Sequence, residues 1–327
     1  MRFDSTSPAI PGPFPGGYRY NAYGAYLKER FGCRVYKVIV DAGFTCPNRD
    51  GTVATGGCTY CDNNSFRPES VQRLKPIAEQ VAVGIQYLRG RYRARKFIVY
   101  FQPFTNTHAP LEYLTPLYEE ALDHQDVVGL SIGTRPDCVD DDKLAWFEKL
   151  ARARFVTIEY GLESIYDETL RRINRGHDYR CWLDAVERTR GRGIMLCTHL
   201  ILGFPWESRN QMLAMADAVS DLGIDFVKLH HLHVVRHTAL AREYQRTPFP
   251  LLEYQEYVDL VVSFMERLNP SIKIERLFGL APEEDLLAPR WGKTKAQIQY
   301  GIEQALSARN TFQGRLYLGG GAREQRG

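Results

Sequence analysis

Three cysteines, Cys46, Cys58 and Cys61, stand in the run CPNRDGTVATGGCTYC, directly after the apolar stretch Val35 to Val40. Thiolates are soft ligands, suited to iron–sulfur clusters and to zinc. Two cysteines two residues apart, with a third reached across a Gly-rich loop, can hold three irons of a [4Fe–4S] cube and leave the fourth iron open. A structural cluster would want a fourth cysteine nearby, and a structural zinc a fourth Cys or His at short spacing. The residues alone leave three readings. They are an open-site cluster, a zinc site completed by a distant His108 or His199, or unrelated thiols.

Such a loop needs a scaffold. The chain has 327 residues, 44% of them hydrophobic, enough for one α/β barrel or two smaller domains. Segments rich in β-branched and aromatic residues recur near Val35–Val40, Lys96–Gln102, Val127–Gly133, Phe155–Gly161, Met195–Leu202 and Phe226–Leu232. Helical patterns fall between them, near Ser70–Arg89, Leu111–Asp123, Asp140–Ala153, Ile165–Ile173 with Tyr179–Gly191, and Ser208–Asp221. This alternation predicts parallel βα units. Six in succession predict an α/β fold, a partial (β/α)6 TIM-like barrel, with a doubly wound sheet as the alternative. The division expected is a mobile, Pro- and Gly-rich N-terminal arm over 1–20, the barrel over 21–246, and a helical and strand extension over 247–327 packing on it. That extension carries a helix near Leu251–Leu268, a strand near Ile272–Leu277 and a last helix over Thr294–Ala308.

Each strand is followed by a polar or Gly-containing cluster: QPFTNT, TRPD, GLES and GFPWES in turn. Each has a bland explanation. Asn106 and Thr107 suit a turn, Pro136 and Asp137 a helix start, and Ser208 an N-cap. Convergence of all of them with the cysteine loop on one rim would instead make an active-site mouth.

The remaining cysteines, Cys33, Cys138, Cys181 and Cys197, follow no disulfide framework, which points to a reducing compartment and a cytoplasmic protein. No apolar run is long enough to cross a bilayer, and the N-terminus lacks the apolar core of a signal peptide. The net charge of +3 diagnoses no nucleic-acid partner by itself. The run RGRYRARK, with Arg89, Arg91, Arg93, Arg95 and Lys96, could neutralise several phosphates or simply be a solvated helix end.

With CTYC, the strand-end clusters and the barrel pattern, the sequence resembles the radical SAM enzymes over roughly residues 34–246. It is most similar to a subgroup that carries CPNRDG after the first strand, and next to the radical SAM domain of the elongator catalytic subunit. The eleven residues between Cys46 and Cys58 exceed the superfamily's commonest three and are typical of the elongator-like branch.

The resemblance implies a [4Fe–4S] cluster held by Cys46, Cys58 and Cys61. Its open iron would chelate S-adenosylmethionine, whose reductive cleavage would give a 5′-deoxyadenosyl radical. It implies Tyr60 against the adenine and Thr105 and Asn106 at the methionyl amino group, here without the usual glycines. It also implies Glu163 at the ribose or methionine, Arg175 at the methionyl carboxylate and His199 at the ribose. Gly203 and Pro205 would shape the adenine slot. Relatives often carry a glutamate ahead of TRPD, where this chain has Gly133, so that ribose contact is absent or falls to Arg135 or Glu159. The elongator-type acetyltransferase domain is not expected.

An electron donor such as flavodoxin or ferredoxin is implied, and a monomer is plausible. The substrate implied is a tRNA, at the C5 substituent of a wobble uridine. Lys228, His230, His231, His233 and Arg236 in KLHHLHVVRH are candidate substrate neighbours, with His231 and His233 on one strand face and Lys228 and His230 on the other. Arg276 and Trp291 would close the barrel's open side or contact substrate, although Trp291 reads first as a packing anchor. The rival readings are a radical enzyme acting on a protein or metabolite, and a non-catalytic zinc- or cluster-stabilised RNA-binding module.

Overall fold

The computed structural model describes residues 11–62 and 75–319. Strands β1 Val35–Val40, β2 Lys96–Phe101, β3 Val127–Thr134, β4 Phe155–Glu163, β5 Met195–Leu202 and β6 Phe226–His231 form in sequence order. Between them lie α2 Ile77–Tyr92, α3 Leu111–Leu122, α4 Asp141–Ala151, the pair α5 Asp167–Arg172 and α6 Tyr179–Thr189, and α7 Arg209–Ser220; α1 Tyr23–Phe31 comes before β1. After β6 follow the short β7 Val234–Val235, α8 Ala239–Arg246, α9 Tyr254–Arg267, β8 Lys273–Arg276, β9 Leu286–Ala288 and α10 Lys295–Ala308. The expected start of α2 near Ser70 lies outside the described residues, as does the part of the N-terminal arm before residue 11.

The sheet order is β1-β2-β3-β4-β5-β6-β8 with every neighbour parallel, so the α/β half-barrel holds. It gains a seventh strand among the described residues. The segment near Ile272–Leu277, placed by its sequence in a separate extension, pairs as β8 with β6. Outward side chains such as Val38, Val99, Leu130, Ile158, Leu196 and Leu229 are buried under the helices, as parallel strands covered on that face require. Helix boundaries follow local chemistry: Ser208 and Gln211 form a capping box on α7, and Thr294 and Gln297 another on α10.

Helix α1 was not legible in the strand and helix pattern, and it has a structural task. Tyr23 and Leu27 pack against Val35, Ile98, Phe155, Cys197 and Phe226, near the starts of five strands. Helix α1 thereby seals the N-terminal end of the half-barrel. The residues just before it are held: Arg19 Nη1 donates to the Thr311 carbonyl at 3.0 Å, Asn21 N to Gln313 Oε1 at 2.9 Å, and Tyr20 is buried. No helix among the described residues is long and apolar enough to cross a membrane.

Candidate active site at the strand ends

The loop after β1 is shaped by its own backbone. The Cys46 carbonyl accepts from Arg49 N and Asp50 N, an antiparallel bridge joins Asp50 to Thr55, and Gly57 N donates to the Asn48 carbonyl. The long spacer is therefore a closed excursion that returns Cys58 toward Cys46. Cys58 is buried, Cys46 and Cys61 are half-buried, and all three line a cavity of about 720 Å³ at the C-terminal ends of the strands. Burial, with Cys58 and Cys46 beside it, pushes the Cys61 thiol up to about 12, against the pull of Arg49. The Cys61 thiol in this setting needs a strong positive centre to become a thiolate, which is what an iron–sulfur cluster would supply.

A single zinc fits less well. The one group among the described residues whose ligand atoms lie close enough to share an ion is Glu159, Cys197 and His199, not the loop cysteines. A tetrahedral zinc with Zn–S bonds of about 2.3 Å would draw its sulfurs to about 3.8 Å of one another. His108, a candidate fourth ligand, bonds Asp50 through Nε2 at 3.0 Å. Glu159 in the other group is already bound by lysines, as described below.

Around the cysteines, donors point at sulfur. Arg175 Nη1 lies 3.6 Å and Asn48 Nδ2 3.7 Å from Cys58 Sγ. Arg175 Nη2 also donates to the Gly161 carbonyl and lies 3.8 Å from Glu163 Oε1. Glu163 occupies left-handed backbone at φ +73°, on the irregular end of β4, and this turns its carboxylate into the cavity beside Tyr60. Arg135 is clamped by Asp137, with Nη2 at 2.7 Å from Oδ2, and its Nη1 donates to the Arg175 carbonyl at 2.7 Å. Tyr60, Thr105, Arg135, Glu163, Arg175 and His199 all line the cavity.

Five expected site residues, Pro205 among them, lie outside the cavity wall. Asn106 is buried with its amide donating to the Pro103 and Gly133 carbonyls, so it fixes the β2 loop. Gly203, at φ +99°, donates its N–H to Met212 Sδ and leaves room for Leu252 behind the wall. Arg236 is exposed, and its Nε bonds the Glu284 carbonyl at 2.9 Å, because β7 turns the chain away from the mouth. Lys228 lies beneath the floor and not on it.

That floor is a buried charge cluster. Lys37 Nζ is 2.6 Å from Glu159 Oε1 and 2.6 Å from Glu275 Oε1, while Lys228 Nζ bonds Glu159 Oε2 and lies 2.9 Å from Glu275 Oε1. His199 Nε2 completes it at 2.8 Å from Glu159 Oε2. Two lysines and two glutamates balance, as buried charges must. Burial opposes the Glu159 carboxylate, but Lys228 and Lys37 outweigh it and hold its pKa well below the usual range. Burial keeps His199 low, despite its bond to Glu159.

The cavity's other end is walled by His230, His233, Arg276, Phe278, Leu280 and Lys295. His231 also lines the cavity, so His230, His231 and His233 meet there although strand alternation put His230 on the opposite face from the other two. The His231 ring stacks on Trp291 with centroids 4.0 Å apart, and Trp291 Nε1 donates to the Leu252 carbonyl at 3.0 Å. Trp291 is thus a packing anchor. The RGRYRARK run ends α2 and enters β2, so it lies at the N-terminal end of the strands, opposite the cavity. There Arg89 and Lys96 both pair with Asp126, and Tyr92 stacks on Tyr36.

Sequence reasoning missed Asn48 and Arg49, although both stand inside CPNRDG, where polar residues between ligands were a readable signal. It also missed Lys37, Tyr100 and Glu275. Lys37 interrupts an apolar strand, and a charge at an inward position was the available clue.

Comparison with known proteins agrees with this geometry. A family model described as the radical SAM superfamily matches residues 49–219, and one described as the Radical_SAM C-terminal domain matches 224–308. The uncharacterized Bacillus subtilis protein YtqA is 37% identical over 308 residues, covering 93% of this chain and 96% of that one. A tRNA uridine(34) acetyltransferase of Methanocaldococcus infernus is 28% identical over 146 residues, which cover 44% of this chain and 27% of that protein. The structure of an archaeal Methanocaldococcus infernus Elp3 aligns with a TM-score of 0.66 at 17% identity, over 85% of this chain and 64% of that one. With a family model over more than half of its length and a relative 37% identical over 93% of it, the chain belongs to the radical SAM superfamily and is a radical SAM enzyme.

Proposed function

We propose that this radical SAM enzyme modifies the C5 substituent of a tRNA wobble uridine. Cys46, Cys58 and Cys61 would hold the [4Fe–4S] cluster, and Tyr60, Thr105, Arg135, Glu163, Arg175 and His199 would surround S-adenosylmethionine. When bound, these groups supply reductive cleavage of a carbon–sulfur bond and hydrogen abstraction from an unactivated C–H bond. The protein's own part is positional. Arg175 and Asn48 orient Cys58, Glu163 offers a carboxylate to a diol or ammonium, and the sealed half-barrel excludes water from the floor.

The observation that carries the reading is one continuous cavity from the three cysteines to an outer end with His230, Arg276 and Lys295. It offers a second moiety a place beside the cofactor. The tRNA assignment is supported by the similarity to the tRNA uridine(34) acetyltransferase. The position of RGRYRARK, away from the cavity, favours the rival reading of a protein or metabolite substrate.

Nucleoside mass spectrometry of bulk tRNA from cells with and without the gene decides between them. Loss of one C5-substituted uridine with build-up of a simpler precursor is expected. An unchanged profile across growth conditions would exclude tRNA. Cys58→Ala should abolish S-adenosylmethionine cleavage; if it only lowers thermal stability, the cluster is structural and the protein is a binding module.

A further inference from the structure

Most charges lining the cavity are paired, and Arg49, beside the cysteines, is held by its bond to the Cys61 carbonyl. On the floor, Glu159 and Glu275 are matched by Lys37 and Lys228. Near the cysteines, Arg135 is matched by Asp137 and Arg175 by Glu163. At the outer end, Arg276 closes β8 and Lys295 opens α10, both exposed toward the cavity. Neither has an ion pair or hydrogen bond among the described residues. The helix start at Lys295 adds a positive dipole end.

A second observation at the same place points to a ligand. The Nε2 atom of His230 is buried and has no hydrogen-bond partner, while the ring lines the cavity. Burial, then the nearby Arg276, keeps this imidazole neutral. A buried ring nitrogen left without a partner costs free energy unless a bound group supplies one. The fork of Arg276 is suited to two oxygens of one anion. Glu275 beside it keeps one oxygen unpartnered, but its charge is drawn inward by the two lysines.

We propose that the outer end of the cavity is a phosphate subsite, in which Arg276 and Lys295 take the phosphate of a nucleotide substrate and His230 Nε2 bonds its sugar or base. This rests on the nucleic-acid reading above and gives it a point of contact. The phosphate would fix the nucleotide so that its reactive carbon faces the cysteine end, and the neutral His230 would reward a polar group without adding charge. The basic run at the far end of the strands is not needed for it.

The test uses the full chain reconstituted with cluster and S-adenosylmethionine. Binding of uridine 5′-monophosphate, of uridine, and of an anticodon stem-loop RNA with uridine at position 34 is measured for the wild type and for Arg276→Gln/Lys295→Gln. The wild type should bind the monophosphate at least tenfold more tightly than uridine, and the double variant should lose that preference. For the stem-loop, the slope of log affinity against log salt should shrink by about 0.7, the value for one single-strand phosphate neutralised. Unchanged thermal unfolding of the double variant separates this loss from misfolding. Equal binding of monophosphate and uridine by the wild type, or a preference surviving in the double variant, overturns the subsite. If the monophosphate behaves as expected but the stem-loop does not bind, the subsite stands and the tRNA reading fails.

Discussion

Arg175 and Cys58, 117 positions apart in the chain, meet with Nη1 3.6 Å from Sγ. The same guanidinium holds the Gly161 carbonyl and faces Glu163, so one side chain ties the cysteine loop to the end of β4. A lysine could keep the charge but not the three-way contact. Arg175→Lys is expected to destabilise the cluster-free protein by about 2–4 kcal/mol, through the contacts a lysine leaves unmade. It should also lower iron content after reconstitution. Urea unfolding and iron analysis check this; wild-type values in both would show that the arginine is replaceable.

Gly161 in the GLES cluster is constrained by the same side chain. A Cβ there would come within 2.6 Å of Arg175 Nη2 and 2.7 Å of Glu163 Oε1. Gly161→Ala should displace both and cost about 1–3 kcal/mol, as overpacking does. Equilibrium binding of S-adenosylmethionine should weaken at least tenfold. A variant that binds as tightly as wild type would place the cofactor elsewhere in the cavity.

The floor cluster predicts non-additivity. Lys228→Met removes one of two cations and leaves Glu159 and Glu275 sharing Lys37, at an expected cost of about 3–5 kcal/mol. Adding Glu159→Gln removes the stranded charge, so the double variant should be more stable than the sum of the singles predicts. Urea denaturation of the four proteins measures the coupling. Simple additivity would mean that the two groups do not share a buried pair.

Acid should destabilise the fold in a defined window. Burial lowers His233 from 6.5 to about 4, so the folded state refuses a proton that the unfolded chain accepts. A depressed value means that this stability is complete above the unfolded value and is lost as pH falls toward the folded one. His233 accordingly gives up as much as about 3 kcal/mol between about pH 6.5 and about pH 4. Buried His231 adds loss of the same sign, and Glu159 extends it below 4.5. His233→Gln should flatten the fall between about pH 7 and about pH 5. Urea midpoints at the two values report it, and an equally steep fall in the variant would assign the loss to other groups.

What the sequence determined by itself was local. Three cysteines at fixed spacing specified a soft-ligand loop, and alternating β-rich and helical segments specified six parallel strands within one or two residues of their ends. Capping residues such as Ser208 also followed from near neighbours in the chain. The tertiary structure decided what depended on distant positions. Lys37 reaches Glu159 across 122 positions and Glu275 across 238, so their neutral cluster exists only once β1, β4 and β8 line one interior. Helix α1 became a seal because five strand starts converge beneath it, and β8 became the seventh strand because β6 offered an open edge. Asn106, Gly203 and Arg236 were polar or flexible at the expected positions, yet backbone bonding turned them from the cavity. Residue type and spacing fix what a segment can bind. Only the closure of the sheet fixes which side chains face the same space.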